Sequence, residues 1–217
     1  MPVLDSPRLP PHSGGAPQSL VIMLHGYGAD GRDLIDLGSA WAELLPDTAF
    51  VSPHAPDPCE GAPMGRQWFP LGDMDPHDMV RGVASAAPGL HRLIQSELQR
   101  ARLPASRLAL VGFSQGCMMA LSVALAMPQP PAAVVGYSGL WVPEPKEPAG
   151  TSAPPILLVH GTDDTLIPAQ ALFQSAFGLA GAGVPVEWHL SHGLGHGIDE
   201  TGLAQGGLFL AQQLATA

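Results

Sequence analysis

A serine flanked by glycines, in the segment 112–116 (GFSQG), is a residue pattern that could carry out nucleophilic chemistry. The apolar run 108–111 before it predicts a strand, and the apolar stretch 115–127 after it predicts a buried helix. A tight strand-to-helix turn needs small flanking residues, and it lifts the hydroxyl above the sheet at a helix N-terminus, where developing negative charge is stabilised. The pentapeptide alone is a weak signal in a chain with 26 glycines, but this context predicts that Ser114 is a nucleophile.

An acid and a base should follow this serine along the chain. A serine hydroxyl needs a base to take its proton, and the usual order in strand–turn–helix sites of this type is serine, acid, histidine. The apolar run 156–159 predicts a later strand, and the loop after it contains Asp163 and Asp164. Either aspartate could instead be a turn residue or a helix N-cap, so the residues alone leave the choice open.

Three histidines lie downstream of these acids. His189 falls within a strand-like run, which favours a half-buried structural role. His192 and His196 both lie in the glycine-rich loop before the last predicted helix, and the glycines on both sides of His196 favour it as the base. Their spacing matches no helical metal-binding pattern, so we expect neither a metal nor another cofactor.

The negative charge of a tetrahedral intermediate needs preorganised N–H donors. One donor is expected at the backbone N–H of Gln115, the residue after the nucleophile. The other should come from the loop after the apolar run 20–24, which has the sequence HGYGADG over residues 25–31, and Tyr27 is the candidate. Without Ser114, this loop would be interpreted as a plain glycine-rich turn.

Short apolar runs alternate with longer stretches of helical spacing along the whole chain. This alternation predicts an α/β fold with a mostly parallel central sheet and helices on both faces. A proline at position 88 predicts an interruption or kink in the longest helix. The proline-rich segment 53–76 is longer than most connections, which favours a functional loop. The predicted strands are 20–24, 48–52, 108–113, 132–137, 156–159 and 184–190, and the predicted helices are 33–45, 77–101, 115–127, 169–180 and 199–214.

Length and charge limit the remaining possibilities. The 217 residues fit one domain, 19–217, preceded by a Pro/Gly-rich segment, 1–18. A net charge of −10 disfavours nucleic acid and anionic lipid as partners. The chain has neither a signal-peptide pattern nor an apolar run of membrane-spanning length, so we expect a cytoplasmic protein without membrane insertion. Cys59 and Cys117 resemble neither a disulfide framework nor a zinc site.

Four segments in the expected order resemble the phospholipase/carboxylesterase family, which includes acyl-protein thioesterases and small bacterial carboxylesterases. The resemblance runs from about residue 20 to the C-terminus and is carried by the segments 24–31, 112–116, 160–168 and 193–196. It implies an α/β-hydrolase fold. In the family's acid segment the aspartate stands four residues before a proline, here Pro168, and that register points to Asp164.

The resemblance also implies where an acyl group would lie. Segment 67–69 resembles a loop beside the family's active site, and segment 138–141 resembles a pocket-lining stretch. The family usually has an aspartate after the Trp-Phe pair, whereas this chain has Pro70 there. For Trp68 and Leu166, ordinary core packing is the alternative role. The expected members of an apolar acyl site are Trp68, Phe69, Leu71, Trp141 and Leu166.

A triad of Ser114, His196 and Asp164 predicts a serine carboxylesterase that works through an acyl-enzyme. Its expected partner is a small-molecule ester with a short to medium acyl chain. The alternatives are an acyl-protein thioesterase or a lysophospholipase, and an acyl acceptor other than water is also compatible with the triad. A non-catalytic binding protein on the same fold would require a broken triad, and no member is missing. A homodimer is an open alternative to a monomer.

Overall fold

The computed structural model describes residues 6–59, 61–72, 74–143 and 153–216. Seven strands form one sheet in the order β1-β3-β2-β6-β7-β8-β9, and two form a separate hairpin, β4-β5. The strands are β1 (Arg8–Leu9), β2 (Ser19–Leu24), β3 (Thr48–Val51), β4 (Asp57–Cys59), β5 (Ala62–Gln67), β6 (Leu108–Phe113), β7 (Ala133–Tyr137), β8 (Ile156–Gly161) and β9 (Val186–Ser191). The helices are α1 (Ile35–Trp41), α2 (Pro76–Ala101), α3 (Gln115–Ala126), α4 (Gln170–Gly181) and α5 (Glu200–Thr216), with a short 3-10 helix at Ala105–Arg107.

From β3 to β9 the strands of the large sheet are parallel, and the central strands β2, β6, β7 and β8 are buried on both faces. Alternate residues of β2 point to opposite faces, so Leu20 and Ile22 pack with α2, α3 and α4, whereas Val21 and Met23 pack with α1 and α5. Strands buried on both faces are apolar throughout, as the sequence runs suggest. The predicted α/β architecture, with helices on both faces of a mostly parallel sheet, is confirmed.

The Pro/Gly-rich segment predicted to precede the domain contributes one short strand to the sheet. Strand β1 pairs antiparallel with β3, which adds residues 8 and 9 to the sheet. The Arg8 guanidinium donates two hydrogen bonds to the buried Glu97 carboxylate of α2, at 2.5 and 2.8 Å. These hydrogen bonds hold the pKa of Glu97 below its usual value although burial opposes ionisation. A two-residue strand has no periodicity, so sequence patterning cannot detect it.

Two predictions about the chain between β3 and β6 are wrong. The proline-rich segment 53–76 contains the hairpin β4-β5 and is not an irregular loop throughout. The interruption expected at Pro88 is also wrong, because α2 is one helix from Pro76 to Ala101. Pro88 and Ala84 both lie on the exposed side of α2, where the carbonyl group that Pro88 leaves without its helical donor can bind water.

Cys59 and Cys117 are unpaired and buried, and burial raises the pKa of Cys117 to about 12, so its thiol stays neutral. Within the described ranges, none of the helices combines the length and apolar character needed to cross a bilayer.

Candidate active site

Ser114 lies between β6 and α3 in a strained conformation, with φ 54° and ψ −116°. Such a backbone conformation costs roughly 1–3 kcal/mol, and its surroundings hold it in place. The Ser114 N–H donates to Tyr137 O at 2.9 Å, and the carbonyl of Ser114 accepts the N–H of Cys117 at 3.0 Å. The flanking glycines are required by close backbone approach: a Cβ at Gly112 would collide with Gly116 O, and a Cβ at Gly116 would collide with Leu24 O.

Replacing Gly116 with alanine should destabilise the fold and misplace the serine. The new methyl group would meet the rigid backbone of β2, and overpacking of this kind costs about 1–3 kcal/mol or more. We expect a lower thermal unfolding midpoint by differential scanning fluorimetry, together with reduced activity. Gly181→Ala is the matched control because nothing lies within 4 Å of its added Cβ. Equal unfolding midpoints for the two variants would contradict the close approach between α3 and β2.

Asp164 and His196 form a hydrogen-bonded pair between two loops. Asp164 follows β8 and His196 follows β9, and the Nδ1 of His196 lies 2.7 Å from Oδ2 of Asp164. The other carboxylate oxygen, Oδ1, accepts the backbone N–H groups of Leu166 and Ile167, both at 2.9 Å. Burial opposes ionisation of Asp164, but these hydrogen bonds outweigh it and hold the pKa of Asp164 below its usual value. The carboxylate is therefore ionised and fixed in orientation at neutral pH.

A second histidine contacts the same carboxylate from the interior. The Nε2 of His160, at the end of β8, lies 3.2 Å from Asp164 Oδ2 and 2.8 Å from Ile167 O. Ile167 O is an acceptor, so Nε2 carries the hydrogen and donates to it, with Asp164 Oδ2 as a second close acceptor beside the ring. His160 is 1% exposed, which excludes a role as a base in contact with substrate. Sequence analysis gave no role to His160, although its position immediately before a glycine and four residues before Asp164 was a usable signal.

Backbone contacts hold the acid loop and the histidine loop together. The N–H of Asp163 donates to Leu194 O at 2.9 Å, and the N–H of Gly193 donates to the Thr162 hydroxyl at 2.8 Å. A Cβ at Gly161 would collide with Leu194 O, so this position permits the close approach. Ser138 adds a further attachment by donating from Oγ to Gly197 O at 3.0 Å.

The structure places the competing aspartates and histidines in different environments. Asp163 is exposed and accepts a hydrogen bond from its neighbour Thr162, whereas Asp164 is buried and contacts His196. His192 is exposed in the same loop. His189 lies half-buried in β9, and its Nε2 has no hydrogen-bond partner among the described residues. The predicted acid and base are thus the pair that the fold brings into contact.

His196 lies next to the strand–helix turn that carries Ser114. The ring of His196 is 5.0 Å from that of Phe113, the residue before the serine. A Cβ at Gly26 would lie 3.0 Å from the Phe113 ring and 3.4 Å from the Ser114 Cβ, so the loop after β2 reaches the same place. The carboxyl ends of β2, β6, β8 and β9 therefore meet in one site, where ligands bind in open parallel sheets.

The loop expected to stabilise an oxyanion is supported by the β4-β5 hairpin. Gly28 N–H donates to Arg66 O at 2.9 Å, and Arg66 N–H donates to Ala29 O at 2.8 Å. The Arg66 guanidinium also bonds to Ala55 O and Pro56 O, at 2.5 and 2.6 Å. The hairpin thus fixes the backbone on the C-terminal side of Tyr27. Opposite, the N–H of Gln115 lies in the first turn of α3, where backbone donors have no partner within the helix.

Two buried polar side chains, His25 in the oxyanion loop and Gln115 at the start of α3, bond to neighbouring backbone segments. The His25 ring is hydrogen-bonded to Gly26 O through Nδ1 and accepts the N–H of Ala55 at Nε2, at 2.8 and 2.9 Å. Burial lowers the pKa of His25, so its ring stays neutral. The Gln115 amide accepts the N–H of Trp68 and donates to Phe69 O, at 2.9 and 2.7 Å. Neither side-chain role was predicted from sequence.

The five residues predicted to form the acyl site differ widely in exposure, and two of them are buried. Trp68 is 4% exposed, because its ring packs on His25 and its Nε1–H donates to His25 O at 2.9 Å. Phe69 is 2% exposed against Gly82 of α2, a position where a Cβ would collide with its ring. Their apolar surface is used in the core and in support of the oxyanion loop.

The remaining predicted members lie in three different environments. Trp141 is half-buried over Gly178 of α4, where a Cβ would lie 2.6 Å from its ring. Leu71 is partly buried against the core. Leu166 is 66% exposed, two residues after Asp164, and offers an apolar surface beside the acid.

Solved structures share this fold across nearly the whole chain. Esterase PE8 is 40% identical and superimposes with a TM-score of 0.92, covering 98% of this chain and 100% of its own. The carboxylesterase of Bacillus cereus has the same fold at 15% identity, with a TM-score of 0.78 and coverage of 96% and 93%. Together with the acid–histidine pair and the strained serine, these similarities define the class: the chain is a carboxylic ester hydrolase with an α/β-hydrolase fold.

Curated relatives narrow the class. Esterase YpfH of Escherichia coli K12 is 29% identical over 182 residues, covering 84% of this chain and 77% of its own. Acyl-protein thioesterase 1 of Schizosaccharomyces pombe is 31% identical over 159 residues, covering 69% and 70%. A family model described as phospholipase/carboxylesterase matches residues 12–214. The chain belongs to the phospholipase/carboxylesterase family, and the resemblance of the four sequence segments is confirmed.

Proposed function

We propose that this enzyme is a serine carboxylesterase that hydrolyses small carboxylic esters with short to medium acyl chains. The proposed catalytic residues are Ser114 as nucleophile, His196 as general base and Asp164 as the acid that orients it. The observation that carries the proposal is the 2.7 Å hydrogen bond from His196 to Asp164, beside a serine held at positive φ. That pairing of an orienting acid with a base is the arrangement that activates a serine hydroxyl.

In the first step Ser114 attacks the ester carbonyl. With its Nδ1 hydrogen directed at Asp164, His196 has a free lone pair on Nε2 that takes the proton of Ser114 Oγ. A bond forms between Oγ and the carbonyl carbon, and the carbonyl oxygen becomes an oxyanion. The backbone N–H groups of Gln115 and Tyr27 are the proposed donors to that oxygen. Removing one such donor typically costs about 10²–10³-fold in rate.

In the second step water releases the acyl group. First the tetrahedral intermediate collapses: the bond from the carbonyl carbon to the alkoxy oxygen breaks, and the alcohol leaves with the proton held by His196. The acyl group is then esterified to Ser114. Water then gives a proton to His196 and attacks the acyl-enzyme, and collapse of that intermediate frees a carboxylic acid and returns the proton to Ser114. Asp164 remains ionised throughout and stabilises the imidazolium form of His196.

The limited apolar surface beside the site favours short to medium acyl chains. Leu166 is exposed there, but Trp68 and Phe69 are enclosed by their own contacts and offer no wall to a chain. Each methylene that stays in water forgoes about 0.8 kcal/mol of transfer free energy, so a long chain gains little from a shallow contact. A cytoplasmic location remains a prediction from the sequence.

Labelling by a fluorophosphonate tests the proposed nucleophile. We expect one adduct per chain, located on Ser114 by peptide mass spectrometry, and loss of esterase activity in proportion to labelling. Ser114→Ala should take up no label, and Ser138→Ala, which changes another serine at a strand end, should still be labelled. Labelling of Ser114→Ala at the wild-type level would overturn the assignment.

A series of aryl esters from acetate to palmitate tests the proposed chain length. We expect kcat/KM to be highest for chains of two to roughly eight carbons and to fall roughly tenfold or more for palmitate, below the micelle concentration. Leu166→Ser should lower kcat/KM for the octanoate more than for the acetate. Leu208→Ser, which changes an exposed leucine of α5, should leave the ratio of kcat/KM for the octanoate to kcat/KM for the acetate unchanged. If kcat/KM still rises up to palmitate, the proposed preference for short chains is wrong, but the assignment of Ser114 as nucleophile is unaffected.

The second candidate function is thioester hydrolysis, with lysophospholipids as a further acyl source. The name of the Schizosaccharomyces pombe relative, acyl-protein thioesterase 1, motivates it. The same triad attacks either carbonyl, so the decision lies in acyl and leaving-group recognition. Comparing kcat/KM for an S-octanoyl cysteine peptide, octanoyl lysophosphatidylcholine and the matched aryl octanoate would rank these candidates. A preference for the peptide of more than about tenfold would favour the thioesterase.

A further inference from the structure

One surface of the molecule, formed by α4 and β9, combines exposed aromatic side chains with an absence of charge. Residues 165–186 contain no charged residue, in a chain whose net charge is −10. Phe173 and Phe177 of α4 are 45% and 86% exposed, and Trp188 of β9 is 52% exposed. The rings of Phe173 and Trp188 meet edge to face at 5.3 Å. Aromatic enrichment with depletion of charge is typical of the centre of a protein–protein interface.

The strand in this surface, β9, is the last strand of the sheet. Pro185 O accepts the N–H of Ile156 at the start of β8, and Ser191 O accepts the N–H of Thr162 just after β8, so the backbone groups of the odd-numbered residues along β9 face β8. In a parallel pair alternate residues direct both backbone groups the same way, and those of Val186, Trp188 and Leu190 therefore point to the open edge. Within the described part of the chain, no strand pairs with that edge. An open edge with a flat apolar surface is a template for another strand.

We propose that a second copy of this chain docks here, by antiparallel pairing of the two β9 strands about a twofold axis at Trp188. In that register Trp188 lies opposite the Trp188 of the second copy, and Val186 lies opposite Leu190. These are the residues whose backbone groups point outward, and each such pair exchanges two hydrogen bonds, giving about six in all. A twofold interface uses the same patch on both copies, which this register satisfies.

The side chains also fit a second copy. On one face of the paired strands, the two Trp188 rings meet the phenylalanines of α4, which buries aromatic surface from both copies. On the other face, Glu187 lies opposite His189 of the second copy, so the one acidic residue of the strand is not placed against itself. Two molecules of charge −10 repel, and a patch without charge is where that repulsion is smallest.

A lipid surface is a poorer occupant of this patch. The outward backbone groups of Val186, Trp188 and Leu190 would find no partner in hydrocarbon, where each unpaired group costs several kcal/mol. The net charge of −10 also repels anionic lipid headgroups. A second β9 strand, in contrast, supplies a donor and an acceptor to every outward group.

Sedimentation equilibrium of the purified full-length chain over roughly 1–100 μM tests the dimer. We expect the mass of a dimer for the wild type, and a dissociation constant weakened roughly 100-fold or more in Trp188→Glu and in Phe177→Glu. Leu208→Glu, which changes an exposed leucine on α5, should remain dimeric. Circular dichroism and esterase activity verify that each variant is folded. A monomeric wild type, or a dimer that survives both patch substitutions, would overturn the proposal.

Disulfide trapping tests the register. Trp188→Cys would place two copies of residue 188 about 5.5 Å apart at Cα, which is within disulfide range. Glu187→Cys is the matched control, since residue 187 lies opposite residue 189 and not opposite itself. The native cysteines are buried. We expect a reducible dimer band for Trp188→Cys at high protein concentration and little for Glu187→Cys. Equal trapping of both variants, or of neither, would contradict the twofold axis at Trp188.

Flotation with phosphatidylcholine vesicles separates the lipid alternative. We expect the wild type and Phe177→Glu both to remain in the aqueous fraction. If the wild type is monomeric and floats with the vesicles, and Phe177→Glu does not float, then the patch binds lipid and the dimer proposal is wrong.

Discussion

Replacing His196 with alanine should lower kcat/KM for an aryl butyrate by about 10⁴–10⁶-fold. The reason is that Ser114 then has no base positioned by Asp164, and an unassisted serine hydroxyl is a weak nucleophile. The unfolding midpoint should fall only modestly, because Asp164 loses His196 but keeps the N–H groups of Leu166 and Ile167 as donors. Steady-state kinetics with a purified variant, with residual activity corrected for any wild-type contamination, give the ratio.

His192→Ala is the matched control for this experiment. It removes a histidine from the same loop, four residues away, but that histidine is exposed, whereas His196 is bonded to Asp164. We expect a change of less than about threefold in kcat/KM. A large loss in His192→Ala together with a small one in His196→Ala would reverse the assignment of the base. Fluorophosphonate labelling should slow in His196→Ala, since the same base activates Ser114 towards that reagent.

The central sheet could be predicted from sequence because its strands are buried on both faces. The segments that form β2, β6 and β8 are mostly apolar, and helical segments alternate with the strands along the chain. That alternation predicts a parallel sheet. The same reasoning placed Ser114 at a strand–helix turn. A tight turn was expected to need small residues at 112 and 116, and the structure shows why: a Cβ at Gly112 would meet Gly116 O, and one at Gly116 would meet Leu24 O of β2.

The elements that escaped prediction are short or held by long-range contacts. Strand β1 has two residues, and its pairing with β3 is completed by Arg8 bonding to Glu97 of α2, 89 positions along the chain. Hairpin β4-β5 contains prolines and glycine that obscure alternation. Its position is fixed by Arg66 bonding to the oxyanion loop, which no local pattern encodes.

Side-chain roles near the site depended on tertiary structure in the same way. An aromatic pair such as Trp68 and Phe69 is compatible with a pocket wall or with a core, and in the structure both rings are buried, against His25 and against Gly82. The choice between two adjacent aspartates is similar. Consecutive side chains in a loop point in different directions, and the contact with His196 selects Asp164.

Asp164→Asn should lower kcat by about 10⁴-fold with little change in KM. Oδ1 must remain an acceptor for the N–H groups of Leu166 and Ile167, so the asparagine amide would direct its NH₂ group towards His196. Nδ1 of His196 would then have to accept, which puts the hydrogen on Nε2 and removes the lone pair that Ser114 needs. Turning the amide over would set a donor against both backbone N–H groups, so that orientation is disfavoured. Steady-state kinetics on the aryl butyrate measure both constants.

The stability of the same variant should depend on pH in a defined direction. Hydrogen bonds outweigh burial and lower the pKa of Asp164 in the folded state, so its carboxylate stabilises the fold above its ordinary pKa near 4. That contribution is lost as the pH falls through the folded-state pKa. The gap in unfolding free energy between wild type and Asp164→Asn should therefore be largest near neutral pH and shrink below about pH 4. Asp163→Asn, which changes the exposed neighbour, should leave kcat within about threefold and show no such gap; if it instead lost activity as severely as Asp164→Asn, the acid would be misassigned.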